Sequence, residues 1–435
     1  MVDPGSTPTL LDGFLKDNYD TEEIARLVNE EHPFLDMLDT NYRGTGRRWI
    51  VPFIDGNPQG HASTVAGAQT AAETSMTGSV ISGDDWQINW GDYSDHVDIG
   101  HKAMLMTRND MGAFFEDKKE EIDGLYRGFA DVMERYLLAD SGKSLSTGGF
   151  TDSSGTETLN DITEIVNFEV GMLLQASANA GNSTSDSLLG SGSIGYVFAV
   201  NYNTGVFKVA TSAANAIAGT AGTPSGWTGT MFAFRNTDFG GTSTPNRIVL
   251  GFGAWNPVSD PSNTAFEGID RTINIVRRSG VRLTSSQCSG LGIEDRIKKL
   301  CTVMGYLGKP AKKVMLHDLN WLGLANSLEG RGLRALDSDV KVGQFSFPAL
   351  RLATPRGMVE IFANKFMPPD TAYAFDPAGI KVATLGGFPE VINGDGLEML
   401  RKSNSNVYEY RLYSAPAYCH RKPNMTGRCP LVVPT

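Results

Sequence analysis

Gly190-Ser191-Gly192-Ser193-Ile194-Gly195 spells the G-x-G-x-x-G pattern of dinucleotide-binding turns. Such a turn works when a strand precedes it and a helix follows, so that backbone N–H groups at the helix N-terminus meet the pyrophosphate. Here polar residues precede it, and Ile194, Tyr196, Phe198 and Val200 alternate after it, which predicts a strand. The pattern therefore predicts a glycine turn. Ser141-Gly142-Lys143-Ser144 resembles the end of a phosphate-binding loop, but its first glycine would fall at Leu137, inside a predicted helix. Asp84, Asp85, Asp92, Asp95 and Asp98 crowd one stretch. Paired acids can hold calcium or hydrolyse glycosides. This spacing fits no calcium loop, and charges on a strand edge discourage aggregation. His96 and His101 stand five apart, which puts them on opposite faces of a strand. The six histidines come with no G-x-S-x-G elbow. His420 adjoins Cys419 without zinc-site spacing, and four cysteines in 435 residues predict reduced thiols in place of a disulfide scaffold. No catalytic, cofactor-binding or metal-binding residue is predicted, and the chain does not read as an enzyme.

The elements around these residues are more telling. Residues 1–48 read as an N-terminal arm with a short helix from Thr21, whose Ile24, Leu27 and Val28 share a face, and a second apolar patch at Phe34, Leu35 and Leu38. Residues 49–106 read as one extended loop. Trp49 to Ile54 is its outgoing strand, held to an edge by Pro52, and Trp86 to Trp90 the returning one. Between them Gly60 to Gly83 is mostly Ala, Ser, Thr and Gly, predicting a stretch that is mobile or ordered by a partner. Residues 107–189 hold a helix from 109 to 139, capped by Asn109, with Met111, Phe114, Phe115, Ile122, Leu125, Phe129, Met133 and Leu137 on one face. A helix of about 30 residues reaches about 45 Å, against a globular average of roughly 11–12 residues. Asp161 to Ser177 reads as a second helix, and 190–255 as a small β-rich insertion. Residues 256–400 carry amphipathic helices at Glu294–Leu307 and His317–Glu329 with strands after them, and 401–435 close the chain with strands and a tail.

Forty per cent hydrophobic residues support a sizeable core, and two or three domains fit the length. A net charge of −11 argues against a surface that wraps nucleic acid by neutralising phosphates. Asp3 and Pro4 stand where a secretory signal would be basic, and no apolar run has the length of a membrane span. Trp49, Trp86 and Trp90 could serve a glycan platform or an intersubunit contact, since aromatics dominate interface energetics.

The order of these parts resembles the major capsid proteins of tailed bacteriophages, with their Hong Kong-97-like fold. The matching texture is Pro33-Phe34-Leu35 in the arm, the strand pair before Lys102, and Gly112-Ala113-Phe114-Phe115 opening the helix. It continues at Trp255-Asn256-Pro257, Gly268-Ile269-Asp270-Arg271, the helix at His317, and Gly386-Gly387-Phe388-Pro389 before Gly394-Asp395-Gly396. The resemblance implies an α+β fold with N-arm, extended E-loop, spine helix in a peripheral domain, axial domain and β insertion. It implies self-assembly through hexamers and pentamers into an icosahedral virion shell, built in the host cytoplasm. That shell would enclose double-stranded DNA without sequence-specific binding. A separate scaffolding protein and a portal are the implied partners, with room for a cement protein and no role for a membrane. The expected intersubunit contacts are Trp49, Phe53, Trp86, Trp90 and Tyr93 of the loop with Phe34 and Leu35 of the arm. Some family members join subunits by an isopeptide bond from a loop lysine. No lysine lies between Arg48 and Lys102, so contacts of another kind are expected. The competing readings are a secreted β-rich carbohydrate-active or carbohydrate-binding protein, and an encapsulin-like shell subunit.

Overall fold

A computed structural model of the chain describes residues 32–40, 42–57, 61–74, 82–100, 111–139, 144–179, 187–236, 238–239, 249–262, 265–329, 338–342, 345–392, 399–402 and 405–431. The fold is α+β, with helices and strands segregated into four packed regions.

Strands Arg48–Gly56 and Ser82–Asn89 pair antiparallel as a two-stranded ribbon, with Trp49 opposite Ile88 and Val51 opposite Trp86. The period of two sends Trp49 and Val51 to the core and leaves Ile50 and Ile54 outward. Pro52 lacks an N–H, which a ribbon tolerates because each strand keeps an open edge. The intervening stretch holds a ten-residue helix, Val65–Thr74. Its alanines favour helix, and the Thr64 hydroxyl accepts from Gly67 N at 3.1 Å to cap it.

The second half of the predicted loop does not belong to the ribbon. Strand Tyr93–Gly100 pairs along its whole length with Val407–Ser414, in a sheet that also holds Glu390–Val391 and Met399–Arg401. The long helix, Met111–Leu138, lies against this sheet. Leu125, Phe129, Val132, Met133 and Tyr136 meet Tyr93, Tyr410 and Leu412 there, at the steps of three and four that one helix face requires. The capping role predicted for Asn109 lies outside the described residues.

The β-rich region is larger than its sequence boundary. Six strands close a barrel in the order Thr230–Arg235, Phe150–Ser153, Thr156–Leu159, Val206–Ala210, Gly195–Asn201 and Leu173–Ser177. Phe150, Phe168, Phe207 and Trp227 fill it. The helix predicted from Asp161 to Ser177 is a short 3-10 turn, Ile162–Asn167, followed by the barrel strand Leu173–Ser177. Asp161 caps the turn by accepting from Thr163 N at 2.9 Å. Gly171 then takes a left-handed φ of +95°, and Leu174 and Ala176 bury with period two.

A seven-stranded mixed sheet forms the remaining body, with Thr371–Phe375, Lys313–Leu316 and Gly357–Ala363 at its centre. Helices Ile293–Leu307 and Asp318–Glu329 cover it with Ile297, Leu300, Met304 and Leu324. A further core joins the arm, the ribbon, the long helix and the seven-stranded sheet: Phe34 of the arm, Trp49 and Trp86 of the ribbon, Leu137 of the helix, Trp255, Tyr373, Phe375 and Tyr418 share one cluster.

Candidate functional site

The ribbon is rooted by one guanidinium. Asn274 caps the turn Ile275–Ser279 by accepting from Arg277 N at 3.3 Å, which presents Arg278 inward. Arg278 Nε meets Asp55 Oδ2 at 2.6 Å, and its Nη1 donates to the Asp270 carbonyl at 2.8 Å. Asp84 on the returning strand lies 3.6 Å from Arg278, and Phe53 sets its ring 5.6 Å from the guanidinium carbon. Phe53 stacks on Trp86 at 5.1 Å, and Trp86 meets Trp255 edge-on at 4.9 Å. Both strands are thus pinned to the body by one buried cation and an aromatic stack. Outward stand Ile50, Ile54 and Val65, exposed by 59%, 69% and 80%.

The arm is rooted by one carboxylate. Pro33–Asp36 forms a single helical turn whose Phe34 N donates to Glu134 Oε1 of the long helix at 3.0 Å. His32 Nδ1 lies 3.1 Å from Glu134 Oε2, and Asn364 Nδ2 donates to the same carboxylate. Asp131, one turn earlier, lies 3.6 Å from His32 Nε2 and 3.1 Å from Lys365 Nζ. His32 and Glu134 are both buried.

Six of the seven expected contact residues gather on one core. Phe34, Leu35, Trp49 and Trp86 are buried in it, with Phe53 and Trp90 packed against it. Trp90 Nε1 donates to the Gly46 carbonyl at 2.9 Å. Tyr93 stands apart, buried on the long helix with its ring 5.0 Å from Phe129 and its hydroxyl donating to Asp95 at 3.0 Å. These side chains pack within their own chain, and the apolar side chains facing outward are the intervening Ile50 and Ile54. Sequence reasoning passed over those two, although the same alternation carries them. Arg278, His32 and Glu134 were also missed.

The acidic stretch is a polar sheet edge with partners. Lys402 Nζ pairs with Asp98 and lies 3.1 Å from Glu409 Oε1, and Arg411 also pairs with Glu409. Arg411 and then Lys402 hold the Glu409 carboxyl below its ordinary range. His96, Asp98 and Glu409 are close enough for a metal, but the Lys402 ammonium occupies their electrostatic role. Asp92 accepts from the Tyr413 hydroxyl at 2.8 Å. His101 lies outside the described residues.

The glycine turn, His420 and the cysteines resolve into packing, whereas Ser141, Gly142 and Lys143 lie outside the described residues. Gly190 and Gly192 take left-handed φ values of +55° and +84°, and a Cβ on Gly190 would sit 1.8 Å from the Ser225 carbonyl oxygen. Strand Gly195–Asn201 follows them, so the turn serves the barrel. His420 is buried with Nε2 2.7 Å from the Tyr418 hydroxyl, and burial pushes its pKa down to about 3. Cys288, Cys301, Cys419 and Cys429 are free and buried, and burial pushes the Cys301 thiol up to about 12. Such thiols are poor nucleophiles and poor ligands. No helix among the described residues is long and apolar enough to cross a membrane.

No protein-family model and no curated protein matches the chain. Among solved structures, it is similar to a chain of the cyanophage A-1(L) capsid asymmetric unit, at 8% identity and TM-score 0.48, covering 100% of this chain and 98% of that one. A chain of the capsid of the myovirus phage XM1 gives 11% identity and TM-score 0.41, covering 99% of this chain and 100% of that one. A chain of the holo-SrpI encapsulin complex from Synechococcus elongatus gives 7% identity and TM-score 0.44, covering 93% and 89%.

Proposed function

We propose that this chain is the major capsid protein of a tailed bacteriophage, a shell subunit with the Hong Kong-97-like arrangement. The observation that carries this reading is the ribbon. Two strands rooted at Arg278 present open edges, outward isoleucines and an exposed ten-residue helix between them. The ribbon's inner face is already buried on the body, so the isoleucines left on its outer face are best served by a neighbour. The long helix Met111–Leu138, about 42 Å by its length, supplies the stiff backing.

In this reading the ribbon lies over an adjacent subunit, touching it through Ile50, Ile54 and Val65. Trp49, Phe53, Trp86 and Trp90 hold the ribbon's shape from beneath. Phe34 and Leu35 fix the arm, and Tyr93 seats the returning strand on the helix. The helix and its sheet form the peripheral domain, the seven-stranded sheet the axial domain, and the barrel a decoration of either. Hexamers and pentamers of the subunit close an icosahedral head around double-stranded DNA, in the host cytoplasm. Scaffolding protein and portal assist, and a cement protein has the barrel as one surface to hold. Many weak contacts summed over a closed shell make assembly effectively irreversible. The ribbon has no lysine, so these contacts are non-covalent.

Electron microscopy of the purified full chain, expressed alone and with its genomic neighbours, tests the reading. Uniform closed shells are expected. A chain that stays monomeric under both conditions overturns it, and covalent ladders on denaturing gels of mature particles would overturn the non-covalent contact.

A further inference from the structure

A groove of about 700 Å³ opens where the ribbon's first strand meets the body. Its walls come from three places: Pro52–Asn57 of the ribbon with Arg277 beside it, Leu307–Lys309 after the covering helix, and 421–424 near the C-terminus. Four cations line it, Arg277, Lys309, Arg421 and Lys422. Among the described residues no carboxylate forms an ion pair with any of these four. Asp55, the acid in the wall, is committed to Arg278 at 2.6 Å. The lip is apolar: Ile54 and Leu307 are 69% and 43% exposed. A cationic groove with an apolar lip calls for an occupant that is acidic and apolar at once, in a chain whose own net charge is −11.

The chain contains such a segment. Residues 1–31 carry Asp3, Asp12, Asp17, Asp20, Glu22, Glu23, Glu30 and Glu31 against only Lys16 and Arg26, a net −6 and more than half of the total. Ile24, Leu27 and Val28 recur at helical spacing within it. Its far end is fixed close to the groove's own scaffolding. His32 and Phe34 are clasped by Glu134, and the Phe34 ring meets Phe375 edge-on at 5.5 Å. Asp376 N then donates to the Met425 carbonyl at 3.1 Å, one residue beyond Asn424 of the groove wall. Thirty-one residues can span up to roughly 100 Å when extended, so reach is ample.

We propose that this groove seats the chain's acidic N-terminal segment, residues 1–31, with its carboxylates against Arg277, Lys309, Arg421 and Lys422 and its apolar face on Ile54 and Leu307. The alternative anion, a nucleic-acid backbone, has no use for the apolar lip and is repelled by the rest of the chain. The proposal does not depend on shell formation, because it applies to a free subunit as well as to an assembled one.

The test is zero-length carbodiimide cross-linking of the full chain, read by peptide mass spectrometry. Lys309 and Lys422 are expected to link to acids within 1–31, with yield falling as salt rises. R421E, which keeps both lysines, should lower that yield at least fivefold. So should E22Q/E23Q, which keeps both lysines and every residue of the groove wall. Linkage only to acids beyond residue 31, or none, overturns the proposal. So does protection of the two lysines from acetylation only when DNA is added. A chain that fails to form shells yet gives these cross-links refutes the shell reading alone.

Discussion

Glu134 is buried in the long helix with His32 Nδ1 3.1 Å from its Oε2, joining residues 102 apart in sequence. The same carboxylate accepts from Phe34 N and Asn364 Nδ2, so one acid ties the arm, the helix and the seven-stranded sheet's border together. Glu134→Ala leaves a buried N–H and a buried amide without their acceptor and removes the carboxylate beside the His32 ring. The expected loss is about 3 kcal/mol, read by urea denaturation of unassembled chain. Glu134→Gln keeps an acceptor and should lose less than the alanine variant. Equal stability of all three chains would show that the clasp is not holding the arm.

A second tie of the same kind sits at the ribbon. Arg278→Ala takes from the buried Asp55 carboxylate its cation at 2.6 Å and frees the Asp270 carbonyl. Amide exchange across 48–56 and 82–89 should then rise at least tenfold, while the barrel strands keep their protection. Arg278→Lys keeps the charge but not the forked geometry that reaches two acceptors at once, so it should give an intermediate result. Uniform loss of protection over the whole chain would mean that Arg278 supports the global core and does not latch the ribbon in particular.

The barrel predicts a pH dependence. Glu157 is buried inside it, and burial, then the neighbouring Asp152, pushes its carboxyl from 4.5 up to about 10. Burial also raises Glu164 to about 7, against the opposing donors of Thr147 and Gly148. Below pH 4.5 folded and unfolded chains both hold these protons. Above it the unfolded chain releases them while the folded one keeps them, so stability falls as pH rises, by at most about 1.4 kcal/mol per pH unit per group. Exchange protection of the barrel strands should therefore drop between pH 5 and 9. Glu157→Gln should raise protection at pH 8 and leave only the shallower fall below pH 7 that Glu164 produces. A wild-type barrel whose stability climbs over this range contradicts the assignment.

Which parts of this architecture are legible in sequence follows from what sets each one. The long helix and the ribbon strands announce themselves through period, because Leu125, Phe129 and Val132 or Trp49 and Val51 must face one way. The barrel's start at Phe150 does not, because its first three strands in sequence are four or five residues long and the steps from Ile162 to Ile165 imitate a helix. Partnership is less legible still. Trp86 reads as a contact residue until Phe53, Trp255 and Phe266 are seen to cover it, and those come from three separate segments. Glu134 looks like any acid on a helix surface, and only the fold brings His32 and Asn364 to it. The Tyr93 strand continues the alternation of Trp86 to Trp90, so no local signal marks its departure to pair with Val407–Ser414.

That distinction between covered and outward residues gives the sharpest test of assembly. Ile54 is 69% exposed opposite Gly83, whereas Trp86 of the same partner strand is fully buried opposite Val51. Trp86→Ala opens a cavity between Phe53 and Trp255 and should cost about 3–5 kcal/mol, a loss of fold from which nothing about contacts follows. Ile54→Asp removes no packing among the described residues, so its stability should stay within about 0.5 kcal/mol of the parent, and Ile50, which is not part of the groove lining, separates loss of a neighbour from loss of the segment seated on Ile54. If the ribbon's outer face grips a neighbour, the same substitution places an unpaired carboxylate in an apolar contact repeated around every capsomer. Shell yield by sedimentation should then fall at least tenfold with a monomer that melts normally. Ile50→Asp, two positions along the ribbon's outward side, should behave alike. Normal shells from both variants would place the subunit contact elsewhere on the chain, and the ribbon's apolar side would need another occupant.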